Sequence, residues 1–246
     1  MSASLRRLGR AAYLAYGASV IAVVMVALWL VTGFVRSAHR AVALQRVASR
    51  LMLAALGCRF TVRGTPPAPD GGARVLVANH TSYLDIPLML AAFDSDFAFV
   101  TKHELLEWPV IARITRRGGH IPVDRDRASS RAAVVARIVK TLRAGRSVVL
   151  FPEGTFSFDH GLRPFHGGAF KCALAAGVPV VPVALEGVAE VWSQHARFPR
   201  AGRVESWVGD PVDAPALADE AADEEARVEA LRSEAHKFIA AHARRG

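Results

Sequence analysis

The chain has 246 residues and a formal net charge of +9 at pH 7, a length that suits one α/β domain with an appendage rather than two full enzymes. Nine basic residues precede the first acidic residue, Asp70, and from Asp70 onward 22 basic residues face 22 acidic ones. A nucleic-acid-binding protein carries its positive charge on a folded face. We therefore expect no nucleic-acid partner, since a basic segment beside an apolar run suits anionic lipid headgroups instead.

The first predicted element is a membrane anchor in residues 1–60. Residues 11–35 contain no charge, and at about 1.5 Å per residue a helix of this length could cross a hydrocarbon core of roughly 30 Å. Residues 38–56 place arginines at near-helical spacing among Ala, Val and Leu, which predicts a basic amphipathic helix in the headgroup region. Arginines flank the apolar run on both sides, so a spanning helix and a re-entrant helix pair both stay open. A signal peptide is disfavoured because its apolar core normally has about 7 to 15 residues.

Apolar, β-rich runs then alternate with helical stretches, which predicts an α/β fold with a mixed, largely parallel sheet flanked by helices. The predicted strands are residues 74–78, 97–101, 147–150, 180–185 and 204–208. Helices are predicted at 129–142 and 165–176, each followed by a glycine that can end it. Residues 213–246 form a predicted C-terminal helix whose acidic half precedes its basic half, as the helix dipole favours. The catalytic domain is thus predicted over residues 61–212.

The first candidate site residue is His80, in the loop after the predicted strand that ends at Ala78. This loop lies at the carboxyl edge of the sheet, where α/β proteins usually bind ligands. Asp85 follows five residues later, so a tight turn can bring its carboxylate to one imidazole nitrogen and leave the other free as a base. The alternative is a helix start, because Ser82 to Asp85 matches a capping box. Pro87 disfavours a start at Ser82 and favours one near Asp85, which leaves His80 in the loop.

Three further segments offer groups for substrate binding. Glu153 and Gly154 follow the predicted strand 147–150, so they share a sheet edge with the base. A carboxylate there could hold a polyol hydroxyl, and the glycine permits close backbone approach. Arg125 ends a stretch whose two glycines and proline would fix its loop, and a guanidinium group suits phosphate. Lys171 is a further candidate on the helix after the Glu153 loop.

Four blocks in fixed order make the chain resemble the phospholipid/glycerol acyltransferase family, which includes lysophosphatidate and glycerol-3-phosphate acyltransferases. The blocks are residues 79–85, 119–125, 151–157 and 178–183. The resemblance implies a membrane-bound O-acyltransferase that moves an acyl group directly from a thioester to a lysophospholipid hydroxyl, without a covalent acyl-enzyme. The acceptor it most directly implies is 1-acyl-glycerol-3-phosphate, which would become phosphatidate.

The resemblance also implies roles for individual residues. His80 would take the hydroxyl proton as general base, and Asp85 would orient it. Glu153 with Gly154 would position the glycerol part of the acceptor, and Thr155 beside them would also bind the substrate. Arg125 matches the family's phosphate-side arginine. Acyl-coenzyme A or acyl-acyl carrier protein would be a co-substrate rather than a bound cofactor, with its thiolate as leaving group. Membrane lipids are further partners, and the carrier thioesters imply a catalytic domain on the cytoplasmic face of the cell membrane.

One position departs from the family pattern. The third block usually continues Gly-Thr-Arg-Ser, whereas here Phe156 stands in place of the arginine. An acceptor phosphate would then be held by Arg125 alone or be absent. A non-phosphatidate lysolipid such as a lyso-aminolipid is therefore an alternative acceptor.

Other classes of protein find less support in the sequence. No Gly-x-Ser-x-Gly segment is present to supply the nucleophile of a serine hydrolase. The histidines His80, His160 and His166 lack the short helical spacing of common zinc sites, and Cys58 and Cys172 have no paired spacing, so we expect no metal. A non-catalytic membrane lipid-binding protein of the same fold is the remaining alternative.

Overall fold

The computed structural model describes residues 3–69, 71–124, 128–156, 161–193, 196, 198–213 and 223–243. Its strands are β1 (Cys58–Arg63), β2 (Val75–Ala78), β3 (Phe97–Lys102), β4 (Ile121–Val123), β5 (Ser147–Leu150), β6 (Val180–Glu186) and β7 (Gly202–Val208). Its helices are α1 (Ala3–Phe34), α2 (Ala38–Ala55), α3 (Asp85–Ala92), α4 (Pro109–Arg117), α5 (Ala128–Arg143), α6 (Gly168–Ala176), α7 (Val188–Val191) and α8 (Glu224–His242). A short 3₁₀ helix precedes α4 at His103–Glu107.

The strands form one sheet in the order β1-β7-β6-β2-β5-β3-β4 within the described residues. Neighbouring strands are parallel except β6 and β7, which are antiparallel. The prediction of a mixed, largely parallel sheet flanked by helices is therefore confirmed. β5 has the predicted bounds, and β4, an additional strand, contains Pro122 at the sheet edge, where a missing N–H is tolerated. The predicted domain boundary after residue 60 falls inside β1.

Strand β2 lies inside the sheet and brings the chain to the candidate site. Val75 and Val77 pack into the core that α5, α6 and α8 cover, whereas Leu76 and Ala78 pack into the core beneath α2 and α3. All four side chains are fully buried, as expected for a parallel strand covered on both faces. The loop that contains His80 therefore begins at the carboxyl edge of the sheet, between the two cores.

The first residues of α3 and α6, the two helices beside this edge, are set by a proline and by a loop hydrogen bond, respectively. α3 begins at Asp85, as predicted, which places Pro87 in the first turn, where no N–H is needed. α6 begins at Gly168, three residues later than predicted. The reason is that the backbone N–H of His166 donates to the carbonyl of Pro152 at 2.8 Å, which keeps this segment in the loop.

Helix α1 packs along the domain over most of its length. In the first half of the helix, the hydroxyl of Tyr13 donates to the carbonyl of Leu56, at the end of α2, at 2.9 Å. Near its end, the guanidinium of Arg117 donates to the carbonyl of Gly33 at 3.4 Å. At about 1.5 Å per residue these contacts are roughly 30 Å apart along the helix. Between these contacts Val20, Ile21 and Val24 pack against the core, so the rest of the protein lies against α1 along this distance.

The other face of α1 is exposed and apolar. Its exposed large apolar side chains include Val23, Val26, Leu30, Val31 and Phe34. Within the described residues, Ala11–Phe34 is the one helical segment that is long and apolar enough to cross a membrane, judged by length and composition. One face of α1 thus contacts the domain, and the other is available to lipid.

Gly64 offers a test of the packing at the end of β1. It has a φ of +82°, and an added Cβ would collide with the carbonyl oxygen of Val208. Gly72 has nearly the same φ, +81°, but nothing lies within 4 Å of its added Cβ. We expect Gly72→Ala to lower the free energy of unfolding by about 1 kcal/mol through backbone strain alone, and Gly64→Ala to lower it by roughly 3 kcal/mol or more.

Thermal unfolding of the two variants in the same detergent measures this difference. Equal losses in the two variants would mean that the contact with Val208 contributes nothing beyond the left-handed backbone.

Candidate active site

The imidazole of His80 contacts the carboxylate of Asp85, as predicted from their spacing. The distance between Nδ1 and Oδ2 is 2.8 Å, and Asp85 is fully buried at the first residue of α3. An ionised carboxylate only accepts hydrogen bonds, so Nδ1 carries the proton in this pair. Nε2 is then left with a lone pair that can accept a proton from a substrate.

The same carboxylate oxygen also organises the loop. Asp85 Oδ2 accepts the backbone N–H groups of Thr81 at 2.7 Å and of Ser82 at 2.9 Å. The hydroxyl of Ser82 donates to the carbonyl of Trp192 at 2.6 Å and accepts the backbone N–H of Leu84. Because these contacts fix the backbone on the C-terminal side of the histidine, the imidazole and the carboxylate are held together before any substrate binds.

Glu153 holds the same loop from the other side. It is only 3% exposed, and its Oε1 accepts the backbone N–H of His80 at 2.8 Å. Its Oε2 accepts the backbone N–H of Arg163 at 2.9 Å. The structure thus brings Glu153 to His80, as predicted, with both carboxylate oxygens contacting backbone donors. Its predicted contact with an acceptor hydroxyl stays a prediction.

The remaining predicted site residues fall in different surroundings. Gly154 has a φ of +74°, and an added Cβ would lie 3.0 Å from the imidazole of His166, so the glycine is needed for this loop. Thr155 lines the cavity described below. Lys171 lies on α6, across the sheet from that cavity, with its ammonium 3.9 Å from the Glu225 carboxylate. Arg125 lies outside the described residues.

Asn79 is a contributor that sequence reasoning did not assign. Its side-chain amide donates to the carbonyl of Leu185 at 2.9 Å, and its Oδ1 accepts the backbone N–H of the same residue at 2.7 Å. This pair of bonds joins the end of β2 to β6 just before His80. The position of Asn79 at the start of the first block was the available signal, but its partner lies 106 residues away.

The imidazole of His80 is also stacked between two aromatic rings. Phe151 and Phe156 each lie 4.0 Å from it between ring centroids, with interplanar angles of 14° and 28°. Tyr83 meets Phe156 edge-on at 5.2 Å and lies 5.5 Å from Trp192. The side chain that replaces the family's arginine therefore covers one face of the candidate base.

A cavity of about 490 Å³ begins at His80, Tyr83 and Phe156 and runs beneath the N-terminal helices. Its apolar walls come mainly from α1, α2 and α3 and include Val24, Met25, Leu28, Met52, Ile86 and Leu90. A volume of this size is typical of a small-molecule site. The candidate base thus lies on the wall of a largely apolar cavity.

The cavity wall also contains a buried polar pair. His120 Nδ1 accepts the backbone N–H of Phe99 at 3.1 Å, and His120 Nε2 lies 2.9 Å from Gln45 Oε1. The Gln45 amide in turn donates to the carbonyl of Ile114 at 3.2 Å. Burial lowers the pKa of His120 to about 3, so the ring is neutral, and the Phe99 contact places its proton on Nε2.

Gly118 leaves the room that this pair needs. An added Cβ would lie 2.5 Å from Gln45 Nε2 and 2.6 Å from His120 Nε2. Gly118 thus has a steric function beside His120, in addition to the predicted role of the two glycines in fixing the loop before Arg125.

Comparison with known proteins finds that the sequence of this chain is similar to those of acyltransferases. A sequence model of the acyltransferase family matches residues 59–186. A 1-acyl-sn-glycerol-3-phosphate acyltransferase of Neisseria gonorrhoeae is 36% identical over 132 residues, which are 53% of this chain and 51% of that protein. A lyso-ornithine lipid O-acyltransferase of Pseudomonas aeruginosa is 37% identical over 126 residues, 51% of this chain and 47% of that protein. The chain spans about half the length of the curated relatives it matches.

A solved structure shares the fold over nearly the whole chain. The crystal structure of the 1-acyl-sn-glycerophosphate acyltransferase from Thermotoga maritima superposes with a TM-score of 0.78 and covers 96% of this chain and 95% of its own. Sequence identity is 22%, so this likeness concerns the fold alone.

The buried His120 predicts a pH dependence of stability. The unfolded chain takes up a proton on this side chain below its ordinary pKa of 6.5, whereas the folded chain does so only near 3. The free energy of unfolding therefore falls as the pH drops from 6.5 toward 3, by up to about 1.4 kcal/mol per pH unit from this group. His120→Gln, which cannot titrate, should show a shallower loss.

Unfolding midpoints in detergent between pH 7 and pH 4.5 measure the two slopes, since other titrating groups contribute equally to both proteins. Parallel curves for the two proteins would contradict the assignment of a neutral, buried His120.

Proposed function

The chain belongs to the acyltransferase family, whose sequence model matches half of it, and we propose that it transfers a fatty acyl group from an acyl thioester to the free hydroxyl of a lysophospholipid. The observation that carries this proposal is the His80–Asp85 pair, with 2.8 Å between Nδ1 and Oδ2, on the wall of a largely apolar cavity of about 490 Å³. The pair supplies a base, and the cavity supplies space for an acyl chain.

In the proposed reaction, the acceptor hydroxyl gives its proton to His80 Nε2 while its oxygen attacks the thioester carbonyl carbon. The carbon–sulfur bond then breaks, and the thiolate leaves and takes the proton from the imidazolium. Asp85 orients the ring and stabilises its protonated form. Transfer in one displacement needs no nucleophilic side chain, and we assign none.

The cavity supports an acyl chain as the donor's apolar part. Each methylene group removed from water contributes about 0.8 kcal/mol, and the cavity walls from α1, α2 and α3 would cover such a chain. The donor would be acyl-coenzyme A or acyl-acyl carrier protein, a co-substrate that leaves as a thiol. No bound cofactor is required by this scheme.

The acceptor proposed first is 1-acyl-glycerol-3-phosphate, because many of the relatives are named for it. The proposed product is then phosphatidate. On this proposal Arg125, which matches the family's phosphate-side arginine, would hold the acceptor phosphate.

A second acceptor class is favoured by Phe156. This ring stacks on His80 and occupies the position where the family pattern has an arginine. The guanidinium group that the pattern would place beside an acceptor phosphate is therefore replaced by an aromatic ring. Tyr83, half exposed beside Phe156, adds an aromatic face, and aromatic faces attract ammonium groups. A lyso-aminolipid would suit this surface, and one relative is named as a lyso-ornithine lipid O-acyltransferase.

We further propose that α1 lies in the plane of one membrane leaflet, with the catalytic domain on the cytoplasmic face. The Arg113 guanidinium lies 4.0 Å from the ring centroid of Trp29, and Val20, Ile21 and Val24 of α1 pack against the core beneath α2 and α3. A spanning α1 would draw Arg113 and the elements packed on α1 into the hydrocarbon, and a charge there is costly. An in-plane helix instead buries only its exposed apolar face.

The catalytic proposal predicts a large loss of activity in His80→Ala. Removing the base should lower kcat about 10²- to 10⁴-fold, measured as thiol release from palmitoyl-coenzyme A by detergent-purified protein across a panel of lysolipid acceptors. His103→Ala is the matched control, since His103 is an exposed histidine outside the cavity lining.

Release that needs lysophosphatidate and disappears in His80→Ala supports the first acceptor, and release only with a lyso-aminolipid supports the second. Unchanged activity in His80→Ala would contradict the mechanism with either acceptor. If no acceptor gives thiol release, the assay is repeated with acyl-acyl carrier protein as donor. If that donor is not consumed either, the result favours the non-catalytic alternative.

The in-plane proposal predicts similar depths along α1. Nitroxide labels at Ala12, Val23 and Phe34, which are exposed on α1, should report similar shallow depths in lipid vesicles by spin relaxation. A helix that spans the bilayer with residues 11–34 would instead place Val23 near the bilayer centre and the other two labels near opposite surfaces, which would overturn the proposal.

A further inference from the structure

The imidazole of His80 has an aromatic ring on each face. Phe151 and Phe156 both lie 4.0 Å from it between ring centroids, with interplanar angles of 14° and 28°. Two rings this close and this nearly parallel to the imidazole would overlap if they lay on the same face, so they cover opposite faces. The Nδ1 edge of the imidazole contacts Asp85. The Nε2 edge is the part left for a substrate.

Different parts of the fold supply the two covering rings. Phe151 follows β5 directly and packs against the core beneath α2 and α3. Phe156 lies in the loop beyond Gly154, is partly buried, and meets Tyr83 edge-on at 5.2 Å. One face of Phe156 is turned to His80, and the family pattern has an arginine at this position. The second face of the base is thus covered by a side chain in which this chain departs from its family.

The charge of the imidazole changes during the proposed reaction, and its contact with the two rings changes in strength. In that reaction the imidazole is neutral when it takes the acceptor proton and is an imidazolium afterwards. The face of an aromatic ring carries negative potential, which attracts a cation that lies over it. Stacking therefore stabilises the imidazole more after proton transfer than before it. An interaction that strengthens in this way raises kcat rather than the affinity for the substrate.

We infer that Phe156 is a positioning residue for the acyl transfer, which stacks on His80 and stabilises its protonated form. The inference rests on the proposed function and adds a residue to the same site. Asp85 acts on the imidazolium within the ring plane, through Nδ1, whereas Phe156 acts from one face. Phe156 exchanges no proton or electron, and the acceptor proton still passes through Nε2 to the leaving thiolate. Loss of the stack should therefore lower kcat and leave the KM of the acceptor unchanged.

Substitution of Phe156 by leucine and by tyrosine tests this inference. Thiol release by detergent-purified protein is measured over a range of concentrations of the lysolipid that supports it, so that kcat and KM are obtained separately. Phe156→Leu keeps an apolar side chain but loses the aromatic face, and we expect about a tenfold lower kcat, with KM within about twofold. Phe156→Tyr keeps the face and should retain kcat. A raised KM with an unchanged kcat in Phe156→Leu, or an equal loss of kcat in both variants, would overturn the inference.

Phe238→Leu is the matched control, because Phe238 also contacts a histidine ring. On α8 it lies 4.3 Å from the imidazole of His242 between ring centroids, with an interplanar angle of 30°, and both residues lie outside the described lining of the cavity. Its substitution should leave kcat and KM unchanged. Unchanged kcat in Phe156→Leu, together with lost activity in His80→Ala, would overturn the inference and leave acyl transfer intact. Retained activity in His80→Ala would instead overturn the proposed function.

A spectroscopic measurement does not depend on turnover. A proton of an imidazole stacked between two aromatic rings is shielded by both ring currents, so its NMR signal lies upfield. In protein labelled with ¹³C at histidine Cε1, the His80 signal is identified by its absence in His80→Ala. We expect this signal to move downfield in Phe156→Leu and to stay upfield in Phe156→Tyr. An identical signal position in the unsubstituted protein and in Phe156→Leu would mean that the rings are not stacked, which would overturn the inference whatever the activity.

Discussion

The contacts of one carboxylate oxygen determine the geometry of the whole site. Asp85 Oδ2 accepts the His80 imidazole and two backbone N–H groups, and all of these contacts are 2.7 to 2.9 Å long. The chain turns around this oxygen between the end of β2 and the start of α3. If the carboxylate were displaced, the imidazole would lose its orientation and the loop would lose its fold together. The base and the loop that presents it are therefore one cooperative unit.

Two buried carboxylates at one sheet edge would be costly without donors, because burial removes their hydration. Here the donors are mainly backbone groups. Asp85 takes the N–H groups of Thr81 and Ser82, and Glu153 takes those of His80 and Arg163. Backbone donors cannot change rotamer, so the positions they fix are set on folding rather than on substrate binding. Such preorganisation is what a site for developing charge requires.

The parts of this structure that depend on local pattern could be predicted from the sequence. β5 is a short apolar run ended by Pro152, and Pro87 alone placed the start of α3 near Asp85. The sheet edge that Glu153 shares with His80 could be predicted, but the two backbone N–H groups that its carboxylate accepts could not, since that choice depends on how the loops pack. The stacking of Phe156 on His80 depends on tertiary contacts in the same way. Composition likewise could not separate a spanning α1 from one that packs along the domain.

The packing of α1 changes what the anchor contributes. Val24, Met25 and Leu28 of this helix line the cavity that begins at His80, so an acyl chain bound there would contact the same helix that faces the lipid. α2 adds Met52 and Gln45 to the wall. Residues of the predicted anchor therefore also line the proposed acyl site. The cavity is lined by residues from both sides of the predicted boundary after residue 60. A chain lacking the first two helices would lose one wall of the acyl site, and returning it to the membrane by another anchor would not restore that wall.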